Sequence, residues 1–250
     1  MSLDVDSRLP LHAQLEDLLA VEIADGDLPP GARLPPEDAL VERFAVSRTT
    51  VRTAIQSLVR RGLVEIRRGK GTFVTQPKIT QELTQLTGFV EDMQALGRKP
   101  TARLLDRRIV TANAAVAQHL NLRKGADVVR IQRLRLADGV PLSFDETYLP
   151  RALGERVICD NLETQPIFAL LEQKYDTPLT EAEYRLEAAS ADPKVAKTLG
   201  ITPSSPIFLI ERTSYTRDRQ PVDYERLYYR GDHIRFVTRL VRRPPPGARD

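Results

Sequence analysis

The N-terminal fold of this 250-residue chain is decided by three stretches: Leu34-Pro35-Pro36-Glu37-Asp38-Ala39-Leu40, Val46-Ser47-Arg48-Thr49-Thr50-Val51-Arg52 and Arg68-Gly69-Lys70-Gly71-Thr72-Phe73-Val74. The first predicts a short helix, since proline suits a first helical turn and two acids favour its positive end. The second predicts a turn and then a helix over residues 48–61, capped by Ser47. The third predicts a hairpin with a glycine-rich basic turn. Helix, turn, helix and hairpin in this order are the elements of a winged helix-turn-helix.

The second predicted helix has one apolar and one polar side. At about 100° per residue, the apolar side collects Val51, Ala54, Ile55 and Leu58. The polar side collects Arg48, Thr49, Arg52 and Gln56. Recognition helices read base edges from their N-terminal residues, and Arg and Gln suit guanine and adenine edges. The pattern therefore favours DNA reading over an ordinary solvent-exposed helix.

Charge is distributed unevenly along the N-terminal part of the chain. Residues 1–42 contain ten acids and two arginines, a net charge of −8, whereas residues 43–70 contain eight cations and one acid, a net charge of +7. A charge run often marks only a solvated surface. Here the positive block coincides with the predicted recognition helix and hairpin, where cations would attract DNA phosphates. The predicted contacts at the hairpin tip are Arg68, Gly69 and Lys70.

The composition, 41% hydrophobic and 28% charged, is typical of a soluble globular protein, and 250 residues suffice for two domains of ordinary size. No run approaches the roughly 18 apolar residues of a membrane span, and the N-terminus shows no secretory signal. The single cysteine, Cys159, excludes an intrachain disulfide and a cysteine-rich metal site. We expect a cytoplasmic protein with no cofactor, no bound metal and no membrane partner.

The fold class expected from the whole chain is α+β with two domains. We place the winged helix-turn-helix at residues 8–75, a polar linker at 76–85, a second domain at 86–241 and a disordered tail at 242–250. Hairpin signals and short helices alternate in the second domain, which favours an antiparallel sheet. Its predicted strands are 128–136, 140–149, 183–191, 207–216, 221–229 and 234–241. Its predicted helices are 86–96, 113–120, 166–174 and 193–199.

Two arginines mark a candidate ligand site in the second domain. Arg133 and Arg135 alternate with leucines in a predicted strand, so both guanidinium groups lie on one face. Neighbouring guanidinium groups suit an anion such as a phosphate or a carboxylate. The other interpretation is a pair of surface arginines that neighbouring acids neutralise.

Catalytic residues are not predicted. The histidines, His12, His119 and His233, have no carboxylate or cysteine partner at a motif-like spacing. Asp145 and Glu146 are adjacent in a predicted strand, so they point to opposite faces and cannot act as one acid–base pair.

The residues and motifs described above resemble those of a known family. Residues 8–75 resemble the winged helix-turn-helix of the GntR family of bacterial transcription regulators, and residues 83–240 resemble the effector-binding UTRA domain of its HutC subfamily. The resemblance implies DNA contacts by Arg48, Thr49 and Arg52 and insertion of Gly69 into a minor groove, with Lys70 beside it. Some family members have an arginine where this chain has Asp38, which cannot make the same phosphate contact.

The resemblance also implies a chorismate lyase-like fold, a dimer and an effector pocket. The resemblance implies that Arg133 and Arg135 hold the anion. It also implies that Phe89 and Phe168 line the pocket and that Tyr229 closes it. Asp145 and Asp223 would accept ligand hydroxyls or amines, although glutamate is common at both positions. Val90, Pro166 and Phe168 replace hydroxyl-bearing residues that help hold phosphate in relatives. A carboxylate, a phosphonate or an amino-acid catabolite is therefore as good a candidate as a sugar phosphate.

The leading hypothesis is a homodimeric regulator of transcription, a repressor by family resemblance, that leaves a palindromic double-stranded DNA operator when a small anionic metabolite binds. One alternative is an enzyme-like C-terminal domain, a lyase or hydrolase tethered to DNA. Another is an architectural DNA-binding protein without a ligand.

Overall fold

The computed structural model describes residues 3–4, 7, 9–67, 69–75 and 78–241. The chain forms two compact units, residues 1–77 and 78–250. The division falls inside the segment predicted as a linker. The predicted DNA contact Arg68 and the predicted disordered tail lie outside the described residues.

The first unit consists of three helices and a hairpin. Its elements are α1 (Leu11–Ala24), α2 (Glu37–Phe44), α3 (Arg48–Arg60), β1 (Val64–Arg67) and β2 (Gly71–Val74). The helices share one core, whose largest contributors are Leu15, Leu19, Leu40, Phe44, Val51, Ile55 and Leu58. Helix α3 begins after Ser47, whose hydroxyl accepts a hydrogen bond of 3.1 Å from the Thr50 amide. The predicted order of helix, turn, helix and hairpin is confirmed.

The second unit is built on a six-stranded antiparallel sheet. The strands of this unit are β3 (Ile79–Glu82), β4 (Pro100–Thr111), β5 (Asp127–Ala137), β6 (Val140–Pro150), β7 (Glu181–Ser190), β8 (Pro206–Tyr215), β9 (Pro221–Arg230) and β10 (Ile234–Val237). The order across the large sheet is β4-β5-β6-β9-β8-β7. Its helices are α4 (Phe89–Ala95), α5 (Ala114–His119), α6 (Arg151–Val157), α7 (Ile167–Ala169) and α8 (Pro193–Leu199). Helix α7 continues into a π-helical turn over Leu170–Lys174.

The two faces of the sheet are covered by different helices. One face carries the cross-strand row of Arg133, Asp145, Leu227 and Ile210. Helix α4 and the segment formed by α7 and its π-helical turn pack on this face. Helices α5 and α8 pack on the opposite face. The predicted arginine strand is therefore the floor of a layer beneath α4 and α7.

Part of the expected linker is a strand. Strand β3 pairs in parallel with β10, and the Ile79 amide donates to the His233 carbonyl at 2.8 Å. Its sequence, Ile-Thr-Gln-Glu, is short and polar and has no local partner. Only a partner brought close by the tertiary fold makes it a strand, so the sequence pattern predicted a linker instead.

Two further elements were not predicted. Strand β4 carries Arg103, Arg107 and Arg108 and forms an edge of the sheet, so it lacks the apolar content expected of a strand. Helix α6 contains Gly154, which is unusual inside a helix. A Cβ there would lie 2.4 Å from the Val129 Cβ, so the close packing of α6 on the sheet requires glycine.

Candidate functional site

Helix α3 presents its polar side to solvent. Arg48, Thr49, Arg52 and Gln56 are exposed, while the apolar residues on the other side are buried. The Arg48 and Arg52 side chains are 65% and 63% exposed. The arrangement brings the four predicted base-reading residues together on one surface of the first unit.

Both arginines form ion pairs with the start of α2. Arg48 Nη2 lies 2.9 Å from Asp38 Oδ1, and Arg52 Nε lies 2.8 Å from Glu37 Oε2. Exposed pairs of this kind contribute about 1 kcal/mol or less, since water competes for each charge. Both guanidinium groups can therefore exchange these partners at low cost.

The hairpin between β1 and β2 forms the predicted wing. Gly69 and Gly71 have φ angles of 70° and 117°, which explains two glycines in one short turn. Lys70 is exposed at the tip, between them. A Cβ on Gly71 would lie 2.7 Å from Arg33 Nε, so Arg33 packs against the wing and is an exposed cation that the sequence analysis missed.

A pocket lies on the sheet face beneath α4 and α7. Six of the predicted effector residues line it: Phe89, Arg133, Arg135, Asp145, Phe168 and Tyr229. The lining further includes residues that the sequence analysis did not single out as ligand contacts: Gln81, Asp92, Tyr184, Arg212 and Glu225. Tyr229 is buried on β9, its ring lies edge-to-face with Phe236, and it is part of the lining.

Arg135 is neutralised by a neighbouring carboxylate. Its Nε donates to Asp145 Oδ2 at 3.0 Å, and Ser143 Oγ donates to Asp145 Oδ1 at 2.7 Å. Both side chains of the ion pair are almost completely buried. The guanidinium carbon lies 5.4 Å from the centre of the Phe89 ring. Both oxygens of Asp145 are engaged, so this carboxylate holds Arg135 in place.

A second ion pair joins β8 to β9. Arg212 donates to Glu225 and, at 3.1 Å, to the Tyr184 hydroxyl, and its guanidinium carbon lies 4.3 Å from the Phe168 ring centre. Burial raises the pKa of Glu225, but Arg212 and a hydrogen bond from Thr147 outweigh it, so the pKa is lowered and the group is ionised. The sequence predicted a hairpin with turn residues 217–220, and this hairpin places Arg212 opposite Glu225. That pairing was the signal from which the sequence could have identified Arg212 as a charged partner of Glu225.

Arg133 is different from the other two arginines. It is 1% exposed, and its Nε and Nη1 atoms have no hydrogen-bond partner among the described residues. Burial, and next the positive charge of Arg135, lower the pKa of Arg133 to about 9. A buried guanidinium with unpaired donors is costly and would be stabilised by an anion.

Asp223 is not among the described residues that line the pocket, although the resemblance implied that it contacts the ligand. It shares the sheet face with Glu225 but is completely buried. Its cross-strand neighbour on β8 is Ser214. Burial, and next the negative Glu225, raise the pKa of Asp223 to about 6. It contributes to the electrostatics behind the pocket and not to its surface.

Gln81 and Asp92 connect the pocket to the first strand of the second unit. Gln81 Nε2 of β3 donates to Asp92 Oδ2 of α4 at 2.5 Å, and Thr87 Oγ1 donates to Oδ1 at 2.5 Å. Burial raises the pKa of Asp92. Because all three residues line the pocket, a ligand that moves α4 also acts on β3.

The described residues contain no group of three or more His, Cys, Asp or Glu placed to hold a metal ion. Within the same residues, no helix has both the length and the apolar content that crossing a bilayer requires.

Comparison with known proteins agrees with both units. Residues 11–74 match the bacterial regulatory proteins of the gntR family, and residues 95–235 match the UTRA domain. The chain is 32% identical over 242 residues to the HTH-type transcriptional repressor NagR of Bacillus subtilis (strain 168), covering 97% of this chain and 99% of NagR. It is 30% identical over 231 residues to the histidine utilization repressor of Pseudomonas putida, covering 92% of each.

A solved structure shows the same architecture. The crystal structure of PhnF from Mycobacterium smegmatis aligns with a TM-score of 0.62 and 30% identity, over 94% of this chain and all of that one. Such proteins are regulators of transcription that bind operator DNA and a small-molecule effector, and they are not enzymes, so the enzyme alternative is rejected. Because the similarity spans both units and nearly the whole length, the chain belongs to the GntR family of bacterial transcription regulators, in the HutC subfamily that carries a UTRA domain.

Proposed function

We propose that the chain is a cytoplasmic homodimeric repressor that leaves a palindromic operator when a small anionic metabolite binds the pocket beneath α4. The observation that carries this proposal is the cationic floor of the pocket. Arg133, Arg135 and Arg212 are each at least nine-tenths buried on one face of the sheet. Arg135 and Arg212 already pair with Asp145 and Glu225. Arg133, in contrast, has donors without a partner among the described residues, so the pocket can receive negative charge at Arg133.

In this proposal α3 enters the major groove. Arg48, Thr49, Arg52 and Gln56 contact base edges and adjacent phosphates, while the wing residues Arg68, Gly69 and Lys70 contact the neighbouring groove. Arginine in a bidentate contact with guanine is the commonest specific contact in the major groove. The exposure of all four helix residues supports this assignment.

Two copies of the chain give the operator its symmetry. A two-fold dimer presents two recognition helices in opposite directions, so it binds two half-sites that are inverted repeats. The relatives NagR and the histidine utilization repressor are both named as repressors, which supports the proposed sign of regulation.

The effector acts by shifting a population between two states. The anion binds between the sheet floor and α4, and α4 is tied to β3 through Asp92 and Gln81. Strand β3 is the first element after the DNA-binding unit in the chain. A ligand that favours one position of α4 therefore favours one position of the segment that leads to the DNA-binding unit.

The test is operator release by the full-length chain. DNA fragments that the purified chain selects from genomic DNA are labelled, and the complex is challenged with sugar phosphates, carboxylates, phosphonates and amino-acid catabolites. We expect two chains per site by light scattering and release by at least one anion. Arg133→Ala/Arg135→Ala should bind the operator normally and not be released.

The matched control replaces two exposed arginines of the same unit, Arg185 and Arg217, by alanine. This variant should respond to the anion like the native chain. Normal release in the pocket variant would move the effector site elsewhere, and one chain per operator site would reject the dimer.

A further inference from the structure

The carboxylates of the pocket floor already form ion pairs with arginines. Asp145 accepts from Arg135 at 3.0 Å and from Ser143 at 2.7 Å. Glu225 accepts from Arg212 and, at 2.7 Å, from Thr147. Each pair is buried, and each acid has both oxygens engaged. Two of the three positive charges on the floor are therefore neutralised before any ligand binds.

One positive charge remains. Arg133 has unpaired Nε and Nη1 donors and is almost inaccessible to solvent. The nearest further acid of the lining, Asp92, accepts from Gln81 and Thr87 at the side of the pocket. Within the described residues, the floor thus offers one guanidinium without a hydrogen-bonded carboxylate, and the other acids nearby, Asp92 in the lining and the buried Asp223, oppose any charge beyond one on the ligand.

The wall opposite the floor is apolar. Val90, Pro166, Ile167 and Phe168 line it and contribute no side-chain hydrogen-bond donor, and Pro166 has no amide hydrogen either. The rings of Phe89 and Phe168 face the guanidinium groups of Arg135 and Arg212 at 5.4 and 4.3 Å. A ligand held by Arg133 can therefore place an apolar body against these residues, while Gln81, Thr87 and Tyr184 supply polar groups elsewhere in the lining.

A phosphate monoester fits this environment poorly. At neutral pH it carries a charge of about −1.5 to −2 and three strong acceptor oxygens. The second charge would have to lie unpaired in a buried site or take an arginine away from Asp145 or Glu225, and both alternatives are costly. A carboxylate carries one charge and two acceptor oxygens, which match the single free guanidinium.

We infer that the effector is a small carboxylic acid with one negative charge and an apolar body, whose carboxylate pairs with Arg133 and whose body packs against Phe89, Phe168 and the apolar wall. This inference rests on the proposed function, because it identifies the chemical class of the anion that binds the same pocket.

Three probes that share a phenyl ring and differ only in the head group test this inference: benzoate, phenyl phosphate and benzamide. Calorimetry and thermal unfolding of the full-length chain near pH 7.5 measure their binding at millimolar concentration. We expect benzoate to bind and to raise the unfolding temperature. We expect phenyl phosphate and the neutral benzamide to bind at least roughly tenfold more weakly.

Two variants separate binding from folding. Arg133→Met removes the unpaired charge and keeps the apolar stem, so the unliganded variant should unfold at the same or a higher temperature. Its benzoate affinity should fall by roughly tenfold or more. Arg217→Met, in the exposed turn between β8 and β9, should bind benzoate like the native chain.

The outcomes distinguish this inference from the proposed function. Tighter binding of phenyl phosphate than of benzoate overturns the carboxylate assignment and leaves an anion-released repressor intact. Failure of benzoate to bind, or unchanged benzoate affinity in Arg133→Met, also overturns the assignment. If a metabolite still releases the operator from a variant that lacks Arg133 and Arg135, the proposed function is overturned instead.

Discussion

At the scale of single residues, the recognition helix is arranged by acids of its neighbour. Arg48 and Arg52 extend from α3 toward Asp38 and Glu37 at the start of α2. A carboxylate beside a DNA-reading arginine has two opposing effects. It restricts the guanidinium to fewer orientations, and it repels the phosphates that attract the arginine. Asp38 is therefore expected to increase selectivity and to lower general affinity for DNA.

Substitutions of these residues should have opposite effects. Arg48→Ala or Arg52→Ala should each cost roughly 1–3 kcal/mol of specific operator binding, because each removes a base contact. Asp38→Ala should strengthen binding to random DNA and reduce discrimination between operator and random DNA. Gel shifts at one fixed salt concentration measure both, with Arg217→Ala as the control for loss of an exposed charge. Unchanged operator affinity in both arginine variants would contradict the assigned recognition helix.

At the scale of elements, the wing depends on backbone conformations that side chains rarely adopt. Gly69 has φ of 70° with nothing within 4 Å of an added Cβ, whereas Gly71 has φ of 117° and a Cβ there would meet Arg33. The hairpin is also tied to the preceding loop, since the Leu34 amide donates to the Thr72 carbonyl at 2.8 Å. Strain at Gly71 therefore spreads to Arg33 and the loop, and strain at Gly69 stays at the tip.

Gly71→Ala should disturb the wing more than Gly69→Ala does. Alanine at position 69 costs about 1 kcal/mol for a left-handed conformation, while the φ of 117° at position 71 lies outside the left-handed region, so alanine there costs more. Hydrogen–deuterium exchange of the hairpin amides should be faster in Gly71→Ala, and its operator affinity should be lower. Equal exchange rates in the two variants would show that the backbone conformation at position 71 does not shape the wing.

At the scale of the whole molecule, the second unit buries a connected set of charges in its sheet. The set consists of Arg133, Arg135, Asp145, Arg212, Asp223 and Glu225. Asp223 differs from the ion-paired Asp145 and Glu225, because burial and the negative Glu225 raise its pKa to about 6. Between pH 4 and 6 the folded unit retains a proton that an unfolded aspartate, with a pKa near 3.9, has lost. This group therefore lowers the stability of the second unit as the pH rises through that range.

Asp223→Asn should remove that penalty while preserving the shape of the side chain. At pH 7.5 the variant should be more stable by roughly 2 kcal/mol, and the difference should shrink as the pH falls toward 4. Unfolding temperatures of the full-length chain across this range measure the effect. Asp218→Asn, in an exposed turn, is the control and should change little. A variant less stable than the native chain at pH 7.5 would mean that the Asp223 charge is compensated in the fold.

The local patterns of the sequence determined the DNA-binding unit and most of the second unit. Capping by Ser47, the apolar period of α3 and the glycines of the wing depend only on near neighbours in the chain, so they were predictable. The hairpins on either side of residues 137–139 and 217–220 were predictable for the same reason. Alternation along one strand also sufficed to place Arg133 and Arg135 on one face.

The tertiary structure alone decided which groups meet across strands and which partners are missing. Strand β3 exists because β10 lies beside it, and Arg212 reaches the Tyr184 hydroxyl because β7 lies beside β8. The pairing of Asp145 with Arg135, the isolation of Arg133 and the complete burial of Asp223 follow from the same assembly. Hydrogen bonding and burial of charge depend on distances in three dimensions, which no pattern of neighbours along a chain specifies.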